Sequence, residues 1–133
     1  MDQTLQPRCM IVEDQTVIGM SLEDLLNDMG FLVQGPFMSN VQALHWLENE
    51  TPDIALLDFM IKDGTSLETA RALKNRHIPF AIYSGLSPQT DCPPELHDVP
   101  WLEKPMSGEV LAAMLTEIAA PRAAARSAAE SKA

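Results

Sequence analysis

Several residue types that define functional classes are scarce in this chain of 133 residues. It has two cysteines, Cys9 and Cys92, which lie far apart without C-x-x-C spacing, so no disulfide framework or zinc site is indicated. The three histidines share no metal-ligand spacing. No apolar run approaches the roughly 20 residues that span a bilayer. The first residues lack the apolar core of a signal peptide. We therefore expect a cytoplasmic protein without a membrane partner.

Basic residues are also few, because 9 Lys and Arg oppose 19 Asp and Glu, for a net charge of −10. Nucleic acids select basic surfaces, so we expect no nucleic-acid partner. Neither the P-loop nor the dinucleotide-binding glycine motif is present. The length suits one hydrophobic core. We predict one domain over residues 1–120, followed by a disordered or weakly helical Ala-rich C-terminal tail over residues 121–133, which begins with Pro121 and lacks large apolar residues.

Short apolar runs alternate along the chain with helical patterns of apolar residues. The predicted strands are residues 9–13, 31–33, 54–58, 79–84 and 99–103. Strands that alternate with helices form right-handed crossovers and a parallel sheet that is covered on both faces. Pro100 in the fifth run fits only an edge strand, because proline cannot donate to a ladder. We predict an α/β fold with a five-stranded parallel sheet in the order 2-1-3-4-5, doubly wound and flavodoxin-like.

Two connections carry further local signals. Ser39-x-x-Gln42 is typical of a capping box at the start of the second helix. Between the fourth and fifth strands, Ser87 and Pro88 indicate a helix start, and Pro93-Pro94 would end that helix after about one turn. We therefore predict a short or irregular fourth helix.

Polar residues follow the carboxyl ends of four predicted strands, where open parallel sheets bind ligands. They are Glu13-Asp14, Asp58, Ser84 and Lys104-Pro105. Two unit charges about 4 Å apart repel by roughly 4 kcal/mol at an effective dielectric constant near 20, so clustered carboxylates need a counter-charge. Mg²⁺ suits such oxygen ligands and keeps coordination positions for a phosphoryl group. Lys104 and Ser84 would then contact phosphoryl oxygens, and one aspartate would act as the nucleophile.

Each of these residues also has a purely structural interpretation. Asp58 is acceptable as a strand-end or capping acid, and Glu13-Asp14 as the acidic pair that helix N-termini favour. Lys104 fits a solvated surface lysine, Ser84 a turn residue, and Asp63-Gly64 an ordinary turn. Singly, these interpretations are the stronger ones. The occurrence of all the polar groups at strand ends, in order, favours a chemical site.

The sequence resembles the response-regulator receiver domains of two-component signalling over about residues 8–120. The resemblance rests on Glu13-Asp14 after the first strand, on LLDFMIKDGTS around Asp58, on YSG at Ser84-Gly85, and on EKP at Lys104-Pro105. No single one of these motifs is specific, but their combination at the appropriate strand ends is.

The resemblance implies a role for each matching residue. Asp58 would accept a phosphoryl group from the phosphohistidine of a sensor histidine kinase or a histidine phosphotransfer protein. Asp14 and Asp58 would bind Mg²⁺ together with the main-chain carbonyl of Met60, and Glu13 would act mainly through water. These implied roles make Mg²⁺ the expected cofactor.

The resemblance implies further roles around the acceptor. Lys104 would contact the acyl phosphate, and the peptide bond before Pro105 is usually cis in the family. Ser84 would move towards the phosphoryl group on activation, and Gly85 would leave room for the donor.

Two departures from the family pattern concern the activation switch. Trp101 stands where the family usually has Tyr or Phe, so it is either a switch residue or edge-strand packing. Three prolines (Pro88, Pro93 and Pro94) shorten the fourth helix on the same face. We therefore hypothesise that phosphorylation orders this segment instead of shifting a formed helix.

The functional expectation is a stand-alone receiver of bacterial-type signalling that catalyses its own phosphorylation and slow dephosphorylation. Its output would be phosphorylation-dependent binding of a downstream protein, or phosphorelay. One alternative is a pseudo-receiver, an interaction module without phosphorylation. A second alternative is a metal-dependent phosphatase with an aspartyl intermediate. It is the weaker one, because those enzymes need an acid at the position that Met60 occupies.

Overall fold

The computed structural model describes residues 6–86 and 92–131. These residues contain seven strands: β1 (Arg8–Val12), β2 (Leu32–Phe37), β3 (Ile54–Leu57), β4 (Met60–Ile61), β5 (Gly64–Thr65), β6 (Phe80–Ser84) and β7 (Trp101–Glu103). Five of them form a parallel sheet in the order β2-β1-β3-β6-β7. This confirms the predicted order. The small antiparallel β4–β5 hairpin between the third and fourth sheet strands accounts for the different numbering.

Helices cover both faces of the sheet, as predicted. They are α1 (Thr16–Asp28), α2 (Asn40–Leu47), α3 (Leu67–Asn75) and α4 (Gly108–Ser131). In β1, Cys9 and Ile11 belong to one apolar core, whereas Met10 and Val12 belong to the other. Successive residues of a strand point to opposite faces, and helices cover both faces here. All four side chains are therefore fully buried. Strand β1 is therefore apolar from Cys9 to Val12, and polar groups are confined to its ends.

The start of α2 agrees with the predicted capping signal. The Ser39 side chain accepts a hydrogen bond from the main-chain N–H of Gln42 at 3.2 Å, and Gln42 Oε1 accepts one from the N–H of Met38 at 2.9 Å. These bonds satisfy donors that a helix N-terminus leaves free. They fix where α2 begins, and hence the position of Asn40 in its first turn.

The C-terminal segment takes the helical one of its two predicted states. Helix α4 continues through Pro121 to Ser131, while the domain boundary at residue 120 stays a prediction. Alanine and arginine are strong helix formers, and they dominate this segment. Proline withholds one backbone donor, and here the surrounding helix formers outweigh that loss. Over the described part of the chain, no helix is both long and apolar enough to cross a membrane.

The connection between β6 and β7 contains one 3₁₀ turn among its described residues, at Pro94–Leu96. This turn begins where the predicted fourth helix was expected to end, so the predicted short or irregular helix before it stays a prediction. The predicted helix start at Ser87 and Pro88 lies outside the described residues.

Candidate functional site

The predicted site residues meet at the carboxyl edge of the sheet because the strands that precede them are neighbours. The N–H of Asp58 donates to the carbonyl of Val12 at 2.9 Å, which ties the end of β3 to the end of β1. The N–H of Lys104 donates to the carbonyl of Ser84 at 2.8 Å, which ties β7 to β6. Parallel pairing thus extends one residue beyond the strands and fixes where these side chains begin.

Three carboxylates form the centre of the site. Glu13, Asp14 and Asp58 each offer an oxygen, and these oxygens all lie within 4.8 Å of one another. Glu13 is buried, whereas Asp14 and Asp58 are half-buried. An all-oxygen donor set of this size, partly open to solvent, fits a hard divalent cation such as Mg²⁺. The predicted acidic cluster is therefore present.

Lys104 bridges two of these carboxylates. Its Nζ donates to Glu13 Oε1 at 2.8 Å and to Asp58 Oδ2 at 3.1 Å. The ammonium also lies 5.5 Å from the centroid of the Tyr83 ring, a favourable position for a cation over an aromatic face. Lys104 is therefore a member of the site and not a solvated surface lysine.

The electrostatics of the cluster favour a proton on Asp58. Burial, reinforced by the charge of Glu13, raises the pKa of Asp58 to about 6, although Lys104 works in the opposite direction. Burial opposes the charged form of Lys104, but its hydrogen bond to Glu13 and the charge of Asp58 prevail and raise its pKa. The lysine therefore remains a cation while Asp58 titrates at about pH 6.

Glu13 has both of its carboxylate oxygens occupied. Oε1 accepts from Lys104, and Oε2 accepts from the main-chain N–H of Gln15 at 3.2 Å. The Glu13 side chain is 2% exposed. Direct coordination of a cation by Glu13 would compete with these bonds. The arrangement agrees with the role through water that the resemblance implies.

Met60 and Gly85 follow the ends of two neighbouring sheet strands, β3 and β6. Met60 begins β4 and is half-exposed, and its role as a carbonyl ligand stays a prediction. A Cβ atom added at Gly85 would meet no heavy atom within 4 Å, so the space beside this residue is open. That openness is compatible with the approach of a second molecule.

The two predicted switch residues are linked through Leu86. Ser84 is buried, and its Oγ accepts a hydrogen bond from the N–H of Leu86 at 3.1 Å. The indole Nε1–H of Trp101 donates to the carbonyl of the same residue at 2.9 Å. The Trp101 ring also packs against Phe59, with 5.2 Å between ring centroids. Trp101 is thus an edge-strand packing residue that is also bonded to the loop after Ser84.

Sequence reasoning missed Asn40 and the Tyr83 hydroxyl. Asn40 is buried at the start of α2 and bonds to Asp63 and Thr65 of the β4–β5 hairpin. The Tyr83 hydroxyl accepts from the N–H of Met106, just beyond Lys104, at 3.2 Å. These contacts join residues 23 to 25 positions apart, and nothing in the local pattern marks them. Only the polarity of Asn40 next to the cap residue Ser39 was available as a signal.

Comparison with known proteins agrees with this geometry. The description of the matching family is response regulator receiver domain, and the match covers residues 9–116. The chain belongs to the response regulator receiver domain family. The peptide bond between Lys104 and Pro105 is cis in this receiver, as the resemblance implies.

Individual relatives of this receiver are distant. The transcriptional regulatory protein PdtaR of Mycobacterium tuberculosis is 24% identical over 110 residues, which are 80% of this chain and 53% of PdtaR. The chain thus spans about half the length of the curated relatives it matches.

Solved structures reproduce the fold. A CheY-like receiver domain from Methylobacillus flagellatus is 25% identical, with a TM-score of 0.73 over 84% of this chain and 98% of that one. The receiver domain of a putative Luxo repressor from Vibrio parahaemolyticus is 19% identical, with a TM-score of 0.78 over 94% of this chain and 98% of that one.

The raised pKa of Asp58 predicts a stabilising substitution in the receiver. The folded state holds the Asp58 proton up to about pH 6, whereas the ordinary value is 3.8, so stability falls as the pH rises through this interval. At pH 8 Asp58 is ionised in both the folded and the unfolded state, so the folded state bears the full free-energy cost of holding this charge at the site. One pKa unit is about 1.4 kcal/mol, and after allowance for solvent screening we expect Asp58→Asn to stabilise the metal-free protein by about 1–2 kcal/mol.

Urea unfolding in the presence of a chelator at pH 8 and pH 4.5 measures this effect. The gain should be present at pH 8 and largely lost at pH 4.5. Asp24→Asn, an equivalent change at an exposed position of α1, should alter stability by no more than about 0.5 kcal/mol at either pH. An equal gain for Asp58→Asn at both pH values would contradict the prediction.

Proposed function

We propose that this receiver accepts a phosphoryl group on Asp58 from the phosphohistidine of a sensor histidine kinase or histidine phosphotransfer protein. The reaction would depend on Mg²⁺. The observation that carries the proposal is the position of the Asp58 carboxylate. It lies 3.1 Å from the Lys104 ammonium and within 4.8 Å of oxygens of Glu13 and Asp14. An acid held between a cation and a candidate metal site, at an open edge, can react with an anionic donor.

The chemistry is a nucleophilic displacement at phosphorus. A carboxylate oxygen of Asp58 forms the new bond to phosphorus, and the bond from phosphorus to the donor's imidazole nitrogen breaks, leaving its electron pair on that nitrogen. A bound Mg²⁺ supplies charge neutralisation for the phosphoryl oxygens. Asp14 and Asp58 would hold it together with the Met60 carbonyl, while Glu13 orients water around it. With a pKa of about 6, Asp58 is mostly ionised at neutral pH, which is the form that the displacement needs.

Lys104 and Ser84 complete the proposed acceptor. The Lys104 ammonium would leave its contact with Asp58 for a phosphoryl oxygen, while the Glu13 contact retains it in the site. Ser84 would exchange the N–H of Leu86 for another phosphoryl oxygen. Such groups stabilise the charge that is shared among phosphoryl oxygens during transfer. The open space beside Gly85 supports access by the donor.

A groove beside the site supports a protein as the donor. It has a volume of about 450 Å³, and Lys104 and Pro105 are among the residues that line it. Apolar residues of α1 also line it, and one of them, Val17, is 78% exposed. A largely apolar surface that continues to the reacting group suits a protein better than a small phosphate ester.

The output proposed for this receiver is binding of a downstream protein, or onward phosphorelay. One observation favours the alternative of an unphosphorylated interaction module. Trp101 is anchored by a hydrogen bond and a ring contact, so it resists the inward movement that a smaller aromatic residue makes easily. Both functions are compatible with the same fold, and phosphorylation of the protein is the property that distinguishes them.

Mass spectrometry tests phosphoryl uptake. After incubation with acetyl phosphate and Mg²⁺, the wild-type protein should gain one phosphoryl group. Asp58→Asn should gain none, because an amide is not a nucleophile at this centre. Asp24→Asn should behave as wild type. Failure of the wild type to gain the group from acetyl phosphate and also from a phosphorylated histidine phosphotransfer protein would favour the interaction module.

Replacing the bridging lysine should separate metal binding from phosphorylation. Lys104→Met removes the ammonium and leaves the carboxylates, so Mg²⁺ should bind at least as tightly as in the wild type. The phosphorylation rate should fall at least about tenfold, because the phosphoryl oxygens lose a counter-charge. Calorimetry and a phosphorylation time course measure the two effects.

A matched lysine on the surface provides the control for that experiment. Lys74→Met breaks a comparable ion pair, with Asp98 at 2.9 Å, and should change neither quantity. A phosphorylation rate that stays at the wild-type level in Lys104→Met would contradict the proposed role of Lys104.

Fluorescence tests the coupling of Ser84 to Trp101. The chain has two tryptophans, so Trp46→Phe leaves Trp101 as the single reporter. Phosphorylation should change its emission, because movement of Ser84 releases the N–H of Leu86 and disturbs the carbonyl that Trp101 bonds. Adding Ser84→Ala should reduce the change per phosphorylated molecule at least about twofold. The phosphorylated fraction is measured by mass in the same sample.

Ser107→Ala serves as the control, since Ser107 caps α4 through the N–H of Val110 and has no bond to Leu86. An emission change per phosphorylated molecule that Ser84→Ala leaves intact would show that Trp101 responds by another route.

A further inference from the structure

The hairpin that follows Asp58 packs Ile61 into the apolar core and is hydrogen-bonded to α2 through the buried residue Asn40. Asn40 is 3% exposed and lies in the first turn of α2, after its cap residue. Nothing in the phosphoryl-transfer chemistry uses it. A buried polar side chain is retained at low cost only when its hydrogen bonds are satisfied, so its partners indicate what it does.

Asn40 bonds to the hairpin on one side and to α3 on the other. Its Nδ2 donates to the Thr65 carbonyl at 2.8 Å and to Asp63 Oδ1 at 3.3 Å. Its main-chain N–H faces both Asp63 carboxylate oxygens, at 3.1 Å each. On the other side, Oδ1 accepts from Thr69 Oγ1 at 2.6 Å and from the Thr69 N–H at 3.3 Å. The donors and the acceptor of the amide are all in use.

The bonded hairpin residues lie directly opposite the metal-site segment. Thr65 pairs with Met60 in the β4–β5 ladder. The next residue, Ser66, donates its N–H to the carbonyl of Phe59 at 2.8 Å. Residues 59 and 60 are therefore held against residues 65 and 66, and Asn40 bonds this hairpin to α2 and α3. A two-stranded hairpin by itself is marginally stable, so its position depends on this anchor together with the burial of Ile61 in the core.

We propose that Asn40 is a positioning residue for the cation site. It holds the hairpin so that the Asp58 carboxylate and the Met60 carbonyl are arranged before an ion arrives. Groups that are already ordered lose less conformational entropy on binding, and the gain appears as affinity. This inference rests on the proposed function only in taking Mg²⁺ as the ion.

Asn40→Asp tests the proposal because it preserves size and the acceptor towards Thr69. The substitution replaces the donor that faces Thr65 and Asp63 with a carboxylate oxygen. The added negative charge alone would raise the affinity for Mg²⁺. A loss of affinity can then come only from disturbed geometry. We expect the Mg²⁺ dissociation constant, measured by calorimetry, to rise at least about fivefold.

Thr69→Val is the matched control on the other side of the same amide. It removes the 2.6 Å bond to Asn40 Oδ1 and leaves the hairpin bonds in place. Urea unfolding of both variants measures how far each substitution lowers global stability, so that the two dissociation constants can be compared at known stability. In Thr69→Val the dissociation constant should stay within about twofold of wild type. An equal weakening in both variants would overturn the proposal, because it would mean that Asn40 only stabilises the fold. Asn40→Ala replaces Asn40→Asp should the latter fail to fold.

Amide hydrogen exchange without metal gives a second measurement that does not need the ion. The Ser66 amide should exchange at least about tenfold faster in Asn40→Asp than in Thr69→Val, while the core amide of Leu73 should follow global stability in both. Equal exchange at Ser66 would overturn the proposal. If the wild-type protein bound no Mg²⁺, the proposed function would fail, and faster exchange at Ser66 would still establish the anchoring of the Asp58 segment.

Discussion

The contacts of Lys104 with Glu13 and Asp58 make it possible for acids to accumulate at one edge of the sheet. Burial removes much of the water that would otherwise screen these carboxylates, and their mutual repulsion grows accordingly. One ammonium lying 2.8 and 3.1 Å from two of them offsets that repulsion. The bridge also joins the ends of β1, β3 and β7, since its three members follow those strands. The cost that remains appears as the raised pKa of Asp58.

Strand pairing supplies the geometry on which this bridge depends. In the order β2-β1-β3-β6-β7, the end of β3 lies between the ends of β1 and β6. Main-chain bonds from Asp58 to Val12 and from Lys104 to Ser84 continue the ladders into the site. The apolar residues of β1 divide between two cores, so neither face of the sheet has room for these charges. The carboxyl edge is the place where side chains from several strands meet and still reach solvent.

The sheet and its charged edge were predictable because both follow from local patterns. Asp58 ends an apolar run and Lys104 precedes a proline, so their positions could be inferred without any tertiary contact. The anchoring of the hairpin was not predictable, since Asn40 meets Asp63 and Thr65 across 23 and 25 residues. The link from Ser84 through Leu86 to Trp101 similarly needs the indole to fold back over 15 residues. At Pro121, the propensity of the flanking residues outweighed the helix-ending signal of proline.

Besides the main-chain bond of Asp58 to Val12, two kinds of contact act on the segment around Asp58, and a cation would affect them differently. The Lys104 bridge is electrostatic, so an ion among the carboxylates would weaken it and free the ammonium for another anion. The Asn40 contacts link a neutral amide to the hairpin, and nothing in the site competes for them. Arrival of a cation and a phosphoryl group should therefore leave the hairpin in place and act on Lys104 and Ser84. The residue that Ser84 holds is Leu86, whose carbonyl is bonded by Trp101. Any conformational response would accordingly start on the β6–β7 side of the site.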